Sequence, residues 1–211
     1  SNDDRYTLKH VDIDGNLLWQ ERYFIGLGGA VKGLVKTQDN GFLMIGTIYI
    51  QPYFDQETSI TYLRSALVRT DSLGNELWTN IYRWEDDTPD SIQISSNGSV
   101  NQIDSNHYNI VGLNKSDEIY HPIMYELDDA GNLNWHNDYP SVSEDYTRIF
   151  SSILNDKVYM LAAYHPVGFD MTEGHFKVLK TDINGAVEGE FNDEYNTYGL
   201  RSIKVSKDST S

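Results

Sequence analysis

The sequence predicts an all-β fold made of a four-stranded antiparallel unit that repeats along the chain. The motif Asp-x-x-Gly-Asn, with tryptophan four residues after the glycine, occurs three times, and a fourth copy keeps its aspartate and glycine. Between the motifs, short runs of β-forming residues alternate with turn residues. No helical period lasts for three turns, so we expect almost no helix.

The repeated motif sets the period of the unit. The glycines of successive copies are 59, 57 and 54 residues apart, and they are Gly15, Gly74, Gly131 and Gly185. The tryptophans that follow are Trp19, Trp78 and Trp135, whereas Gly189 stands at the fourth position. A constant period of this size indicates a repeat architecture in which neighbouring units bury a continuous core.

Four strands are predicted in each period. In the clearest unit, the first lies within 91–103, and the others are 107–113, 122–127 and 133–139. The preceding unit has strands at 30–36, 41–48, 64–69 and 76–82, and the following unit has them at 147–154, 157–164, 176–180 and 186–191. The ends are incomplete, with strands at 6–12, 17–23 and 198–205.

Tandem units of this kind predict a β-propeller of four-stranded antiparallel blades. Three complete blades are expected, at 24–82, 83–139 and 140–191. Residues 192–211 together with 1–23 would form a composite blade and close a single domain of about four blades. That blade lacks a second strand, so either one blade is three-stranded or the chain is a fragment of a larger propeller.

The repeated residues are interpreted as structural. Each tryptophan is followed four positions later by tyrosine, which places both side chains on one face of a strand. We expect this pair to dock on the neighbouring blade, and the aspartate and glycine to form a tight hairpin turn. Asp12, Asp14 and Asn16 also resemble the opening of a calcium loop, so calcium at this turn is an alternative, although no cofactor is expected.

The run from Leu67 to Trp78, with Asp71, Gly74 and Leu77 inside it, resembles the tryptophan-docking repeat of quinoprotein-type (PQQ-like) propellers. It is similar also to propeller repeats of surface or periplasmic lipoproteins of Bacteroidetes-type bacteria. The resemblance covers nearly the whole chain and implies the fold. It does not imply the quinone, because no residue of a quinone site can be assigned.

Composition narrows the classes of partner. The 211 residues carry 32 Asp plus Glu against 16 Lys plus Arg, a net charge of −16 that disfavours nucleic acid and anionic membranes. Cysteine is absent, which excludes disulfides and thiol chemistry. No apolar run is long enough for a transmembrane helix. We expect an exported protein, periplasmic or at the cell surface, with any signal or lipid anchor upstream.

The candidate ligand-binding residues are those of the long loops, which a propeller gathers on one face. Aromatic rings beside carboxylates suit sugars, and a solvated acidic rim is the alternative. The candidates are Tyr53, Phe54, Trp84, Glu85, Asp87, Tyr120, His121, Asp145, Tyr146, His165 and Asp170. His121, His165 and His175 raise the alternative of zinc.

The function predicted from these features is a non-enzymatic exported propeller that binds a protein or a glycan with its long-loop face. The sequence contains no signature of a hydrolase or of a phosphate-binding loop. Two alternatives stay open. One is a glycoside hydrolase that uses loop carboxylates, and the other is a purely structural repeat in a larger surface assembly.

Overall fold

The structure is a computed structural model that describes residues 6–23, 28–50, 62–82, 98–116, 119–141, 144–166 and 175–193. These residues form fourteen β-strands, and none of them is helical. Contacts divide the chain into two compact units, residues 1–94 and 95–211, which are described one at a time.

The first unit contains a two-stranded and a four-stranded antiparallel sheet. β1 (Tyr6–Val11) pairs with β2 (Leu17–Tyr23). The four-stranded sheet is a meander of consecutive strands. Its members are β3 (Gly29–Lys36), β4 (Phe42–Ile50), β5 (Tyr62–Thr70) and β6 (Glu76–Tyr82).

The second unit contains two four-stranded antiparallel meanders. The first comprises β7 (Ser99–Gln102), β8 (His107–Ser116), β9 (Ile119–Asp128) and β10 (Leu133–Asp138). The second comprises β11 (Glu144–Leu154), β12 (Lys157–Pro166), β13 (His175–Asp182) and β14 (Val187–Asp193).

The apolar pattern explains which strands lie inside each sheet. The second strand of each meander carries a nearly continuous apolar run, and its side chains are buried on both faces, as for Leu43, Met44 and Ile45. The core of the first unit joins the two-stranded sheet to the four-stranded sheet through Tyr6, Leu8, Tyr23, Met44, Ile48, Ala66 and Val68. The core of the second unit joins its two meanders through Val111, Leu113, Met124, Tyr146, Ile149, Val158, Met160, Ala162 and Leu179.

Each copy of the repeated motif closes the hairpin between the last two strands of its sheet. In the second copy, Asp71 Oδ1 accepts hydrogen bonds from the backbone N–H groups of Leu73 at 2.8 Å and Asn75 at 2.9 Å. Its Oδ2 accepts one from the Asn75 side chain at 2.8 Å. Gly74 has φ +86°, a left-handed conformation that favours glycine. Asp12 and Asp128 make the same bonds, and Asp182 makes the backbone bonds alone.

Within each unit, the tyrosine of one repeat docks on the turn of the next repeat, and in the first unit the tryptophan does so too. In the first unit, Tyr23 Oη donates a hydrogen bond of 2.7 Å to the Gly74 carbonyl. The Trp19 ring lies over the same glycine, because a β-carbon placed on Gly74 would lie 2.8 Å from Cζ3 of Trp19. In the second unit, Tyr139 Oη donates to the Gly185 carbonyl at 2.9 Å. The repeated tyrosine therefore joins the two sheets of each unit.

The all-β class and the order of four antiparallel strands in each complete repeat are confirmed. Closure of the repeats into a ring and the number of blades stay predictions. So does the composite blade, because its predicted first strand, 198–205, lies outside the described residues.

The strands of the second unit extend further than predicted at the end where long loops were expected. β11 begins at Glu144, and β12 continues to Pro166. Asp145 is therefore paired with His165, and both lie on strands, not in loops. Tyr120 and His121 likewise belong to β9. The sequence prediction stopped each strand where the apolar run stopped, but backbone pairing continues through these polar residues.

Candidate functional site

Five predicted ligand-binding residues lie within the described part of the chain, and the structure brings them to one end of the two meanders of the second unit. They are Tyr120, His121, Asp145, Tyr146 and His165. The other six lie outside the described residues, and they are Tyr53, Phe54, Trp84, Glu85, Asp87 and Asp170.

Asp145 links the two meanders at this end. Its Oδ1 accepts a hydrogen bond of 2.9 Å from the backbone N–H of Tyr120, which lies on β9 of the other sheet. Its Oδ2 lies 3.6 Å from Nε2 of His165, its neighbour on β12. The Asp145 carboxylate therefore fixes the relative position of the two sheet ends where the side chains of the site meet.

His121 belongs to a neighbouring group on the first meander. Its ring is buried, and Nε2 lies 3.1 Å from Asp138 Oδ1. The hydrogen bond with His121 is the main reason why the pKa of Asp138 is lowered, and it outweighs the effect of burial. This pair braces the end of β10 against β9 and leaves a charged carboxylate beside the site.

A buried lysine that sequence reasoning missed holds the second meander together at the same end. Lys177 Nζ donates to Glu144 Oε2 at 2.8 Å and lies 3.1 Å from Glu190 Oε1. The side chain of Lys177 is only 11% exposed, and that of Glu144 is 16% exposed. Lys177 lies on the same face of β13 as buried Leu179. A lysine among core-facing residues is unusual, and this was the sequence signal that could have identified Lys177 as a site residue.

Hydrogen bonds keep Lys177 and Glu144 ionised despite their burial. Burial alone would lower the pKa of Lys177, but its hydrogen bonds with Glu144 and Glu190 outweigh burial and raise it. Burial would raise the pKa of Glu144, yet the hydrogen bonds from Lys177 and Tyr146 hold it below its usual range. The Glu144 carboxylate and the Lys177 ammonium are therefore charged at neutral pH and fixed in place.

Aromatic rings line the same group. Tyr146 donates to Glu144 Oε2 at 2.5 Å, and its ring lies 5.5 Å from that of Tyr164. His175 stacks on Tyr164 with ring centroids 5.5 Å apart, and Lys177 Nζ lies 5.7 Å from the centre of the Tyr164 ring. We call this set the loop-end cluster, and it consists of Tyr120, Glu144, Asp145, Tyr146, Tyr164, His165, His175, Lys177 and Glu190.

At the repeated turn, the carboxylate of Asp12 binds the turn itself. Its oxygens accept three N–H groups, two at Oδ1 and one at Oδ2, so most of its lone pairs are already engaged. Within the described residues, no group of three or more histidine or acidic side chains is arranged to hold a metal ion, and these residues include His121, His165 and His175.

The charges of the loop-end cluster can be compared with those of a glycosidase site. Glu144 and Glu190 bind one ammonium, so they are near each other, as the two carboxylates of a glycosidase are. A glycosidase, however, needs one carboxylic acid with a raised pKa as proton donor, and the pKa of Glu144 is lowered. Fixed charges beside aromatic rings are instead typical of a pre-organised binding site.

Comparison of the chain with protein-family models finds no match, and comparison with curated proteins finds no similar sequence. Among the described residues, no helix is long and apolar enough to cross a membrane.

Proposed function

We propose that this protein is a non-enzymatic binding module that recognises a protein or a glycan with the loop-end cluster. One observation carries the proposal. Lys177, on β13, fixes Glu144 of β11 and Glu190 of β14 on a single buried ammonium beside Tyr164. A buried ion pair is a costly way to stabilise a sheet end, whereas it suits a surface that must present polar groups in one geometry.

The charge of the chain and the fold support the same proposal. With a net charge of −16, the protein favours neutral or cationic ligands over nucleic acid. Repeat folds commonly bind through a surface to which several strands and loops contribute, as β9, β11, β12, β13 and β14 do here. In keeping with the resemblance to bacterial surface repeats, we place the protein outside the cytoplasm.

The proposal is tested by binding measurements on an oligosaccharide array and on an array of cell-surface proteins. The wild-type chain is compared with Tyr146→Ala and Asp145→Asn, and with the control Glu188→Gln. Glu188, on β14, also binds two lysines, Lys157 of β12 and Lys180 of β13, but it lies towards the tight-turn end of that sheet. We expect binding that both site variants weaken and that the control retains. Binding that all three variants retain would place the site elsewhere.

The hydrolase alternative is tested on the same samples. Release of reducing ends from array glycans, lost in Glu144→Gln, would show that the cluster is catalytic. Binding without release of reducing ends is the outcome that the lowered pKa of Glu144 favours.

A further inference from the structure

We infer that the ligand of the loop-end cluster is a neutral, hydroxyl-rich sugar, held between the carboxylate of Glu190 and the phenol of Tyr164. The inference rests on the proposed function and names its ligand class. It depends on which atoms of the cluster are already bonded and which are left for a ligand.

The hydrogen bonds of the cluster leave one carboxylate oxygen available in a fixed position. Glu190 Oε1 is bound by Lys177 at 3.1 Å and by the side chain of Asn192 at 3.0 Å. No described residue binds Glu190 Oε2, and the side chain is 43% exposed. A carboxylate oxygen held in a fixed orientation is a strong acceptor for a sugar hydroxyl.

Tyr164 supplies a ring and a hydroxyl beside that carboxylate. Within the described part of the chain, its Oη makes no hydrogen bond, while the ring is held by Tyr146 and His175. Burial and the nearby charge of Glu144 raise the pKa of Tyr164, so the phenol stays protonated and can donate. The carboxylate and the phenol lie around the same ammonium, so they offer an acceptor, a donor and an aromatic surface to the hydroxyls and ring of one sugar.

The charges of the cluster exclude an anionic sugar. Lys177 is the ammonium of the cluster, and it is already shared between Glu144 and Glu190. Asp145 adds a further carboxylate, and Asp138 lies on the neighbouring strand end. A uronic acid or a sialic acid would bring a negative charge towards an excess of carboxylates, and Lys177, the one lysine of the loop-end cluster, is already bound by two of them.

The lysine acts as a positioning residue, not as a ligand contact. It is buried, and its hydrogen bonds hold Glu144 and Glu190. The sequence signal for this residue is weak, because Lys177 lies in the core-facing row of β13 but belongs to no recognisable motif.

The test uses the intact chain and measures binding by calorimetry. The probes are hexasaccharides of neutral sugars (maltohexaose, cellohexaose, mannohexaose and xylohexaose) and hexagalacturonate as the anionic counterpart. Glu190→Gln weakens the acceptor, and Tyr164→Phe removes only the hydroxyl while keeping the ring. The control is Glu188→Gln, and thermal unfolding checks that each variant folds.

We expect at least one neutral hexasaccharide to bind and hexagalacturonate not to bind. Each site variant should weaken binding about tenfold, because losing one hydrogen bond to a charged or oriented group usually has an effect of this size. Neutral sugar binding that both site variants retain would overturn the inference. So would preferred binding of hexagalacturonate. A protein ligand whose binding needs Asp145 and Tyr146, with no sugar bound, would overturn the sugar class and leave the proposed function standing. If no ligand binds in either experiment, both the sugar inference and the proposed binding function are wrong.

Discussion

Tyr23 donates a hydrogen bond of 2.7 Å from its phenolic hydroxyl to the carbonyl oxygen of Gly74, which lies 51 residues further along the chain. The same bond recurs in the second unit between Tyr139 and Gly185 at 2.9 Å. Both carbonyls belong to the turn of the repeated motif. Tyr23 ends the strand that follows the preceding motif, and Tyr139 directly follows the end of the corresponding strand. The motif therefore joins one repeat to the next, since its turn receives the aromatic strand of its neighbour.

Removing the hydroxyl of Tyr23 tests the contribution of this joint. Tyr23 is 4% exposed, so Tyr23→Phe leaves the Gly74 carbonyl without its partner in a buried place. We expect the free energy of unfolding to fall by about 1–3 kcal/mol, the range for an unsatisfied buried acceptor. Urea unfolding followed by circular dichroism measures it. Tyr49→Phe is the matched control, because Tyr49 is 47% exposed, and an equal loss in both variants would contradict the prediction.

The same tyrosine predicts loss of stability in alkali. Burial, together with the charges of Glu21, Glu76 and Asp71, raises the pKa of Tyr23 to about 12. Its folded-state pKa lies above its unfolded value of about 10, so its contribution is complete below pH 10 and is lost as pH rises towards 12. Unfolding at stepped pH should show stability falling over this interval. In Tyr23→Phe this part of the pH dependence should disappear; a curve identical to that of the wild type would refute the assignment.

The sequence allows the architecture to be predicted more fully than the site. Trp19, Gly74 and their repeats recur at one period, so their structural role and the order of strands were predictable. Lys177 and Glu190 occur once, and neither lies in a motif. Their contact depends on the register of β13 with β14, which a bulge between Lys180 and Thr181 shifts by one residue. Asp145 and His165 were predicted as site residues but placed in loops, because their strands continue beyond the apolar runs.

Three glycine-to-alanine substitutions separate backbone strain from steric contact. Gly15 and Gly74 both have φ +86°, but a β-carbon on Gly15 would meet nothing within 4 Å, whereas one on Gly74 would meet the Trp19 ring. We expect Gly15→Ala to cost about 1–2 kcal/mol of backbone strain. Gly74→Ala should cost about 1–3 kcal/mol more through the clash.

Gly189→Ala completes the series as its control. Gly189 does not have a positive φ, and its β-carbon position is open, so alanine there should be neutral or stabilise by up to about 1 kcal/mol. Thermal and urea unfolding of the three variants give the order. Equal losses at Gly15 and Gly74 would show that Trp19 does not pack on the second turn.

Replacing Lys177 by methionine should make stability depend on pH in a new way. The variant keeps the bulk of the side chain but leaves Glu144, which is 16% exposed, without its ammonium. At pH 7 we expect a loss of about 3 kcal/mol, as for a broken buried ion pair. Without Lys177, burial should raise the pKa of Glu144 above its unfolded value, so the variant should regain stability as pH falls from 7 to 5 by binding a proton. In the wild type, the pKa of Glu144 is lowered, and its contribution to stability is instead lost when pH falls below about 4.

Urea unfolding at pH 7, 6 and 5 distinguishes the variant from the wild type. Lys157→Met is the control, because Lys157 pairs with Glu188 at a more exposed place. A loss in Lys177→Met that stays constant from pH 7 to pH 5 would mean that Glu144 does not depend on the lysine for its charge.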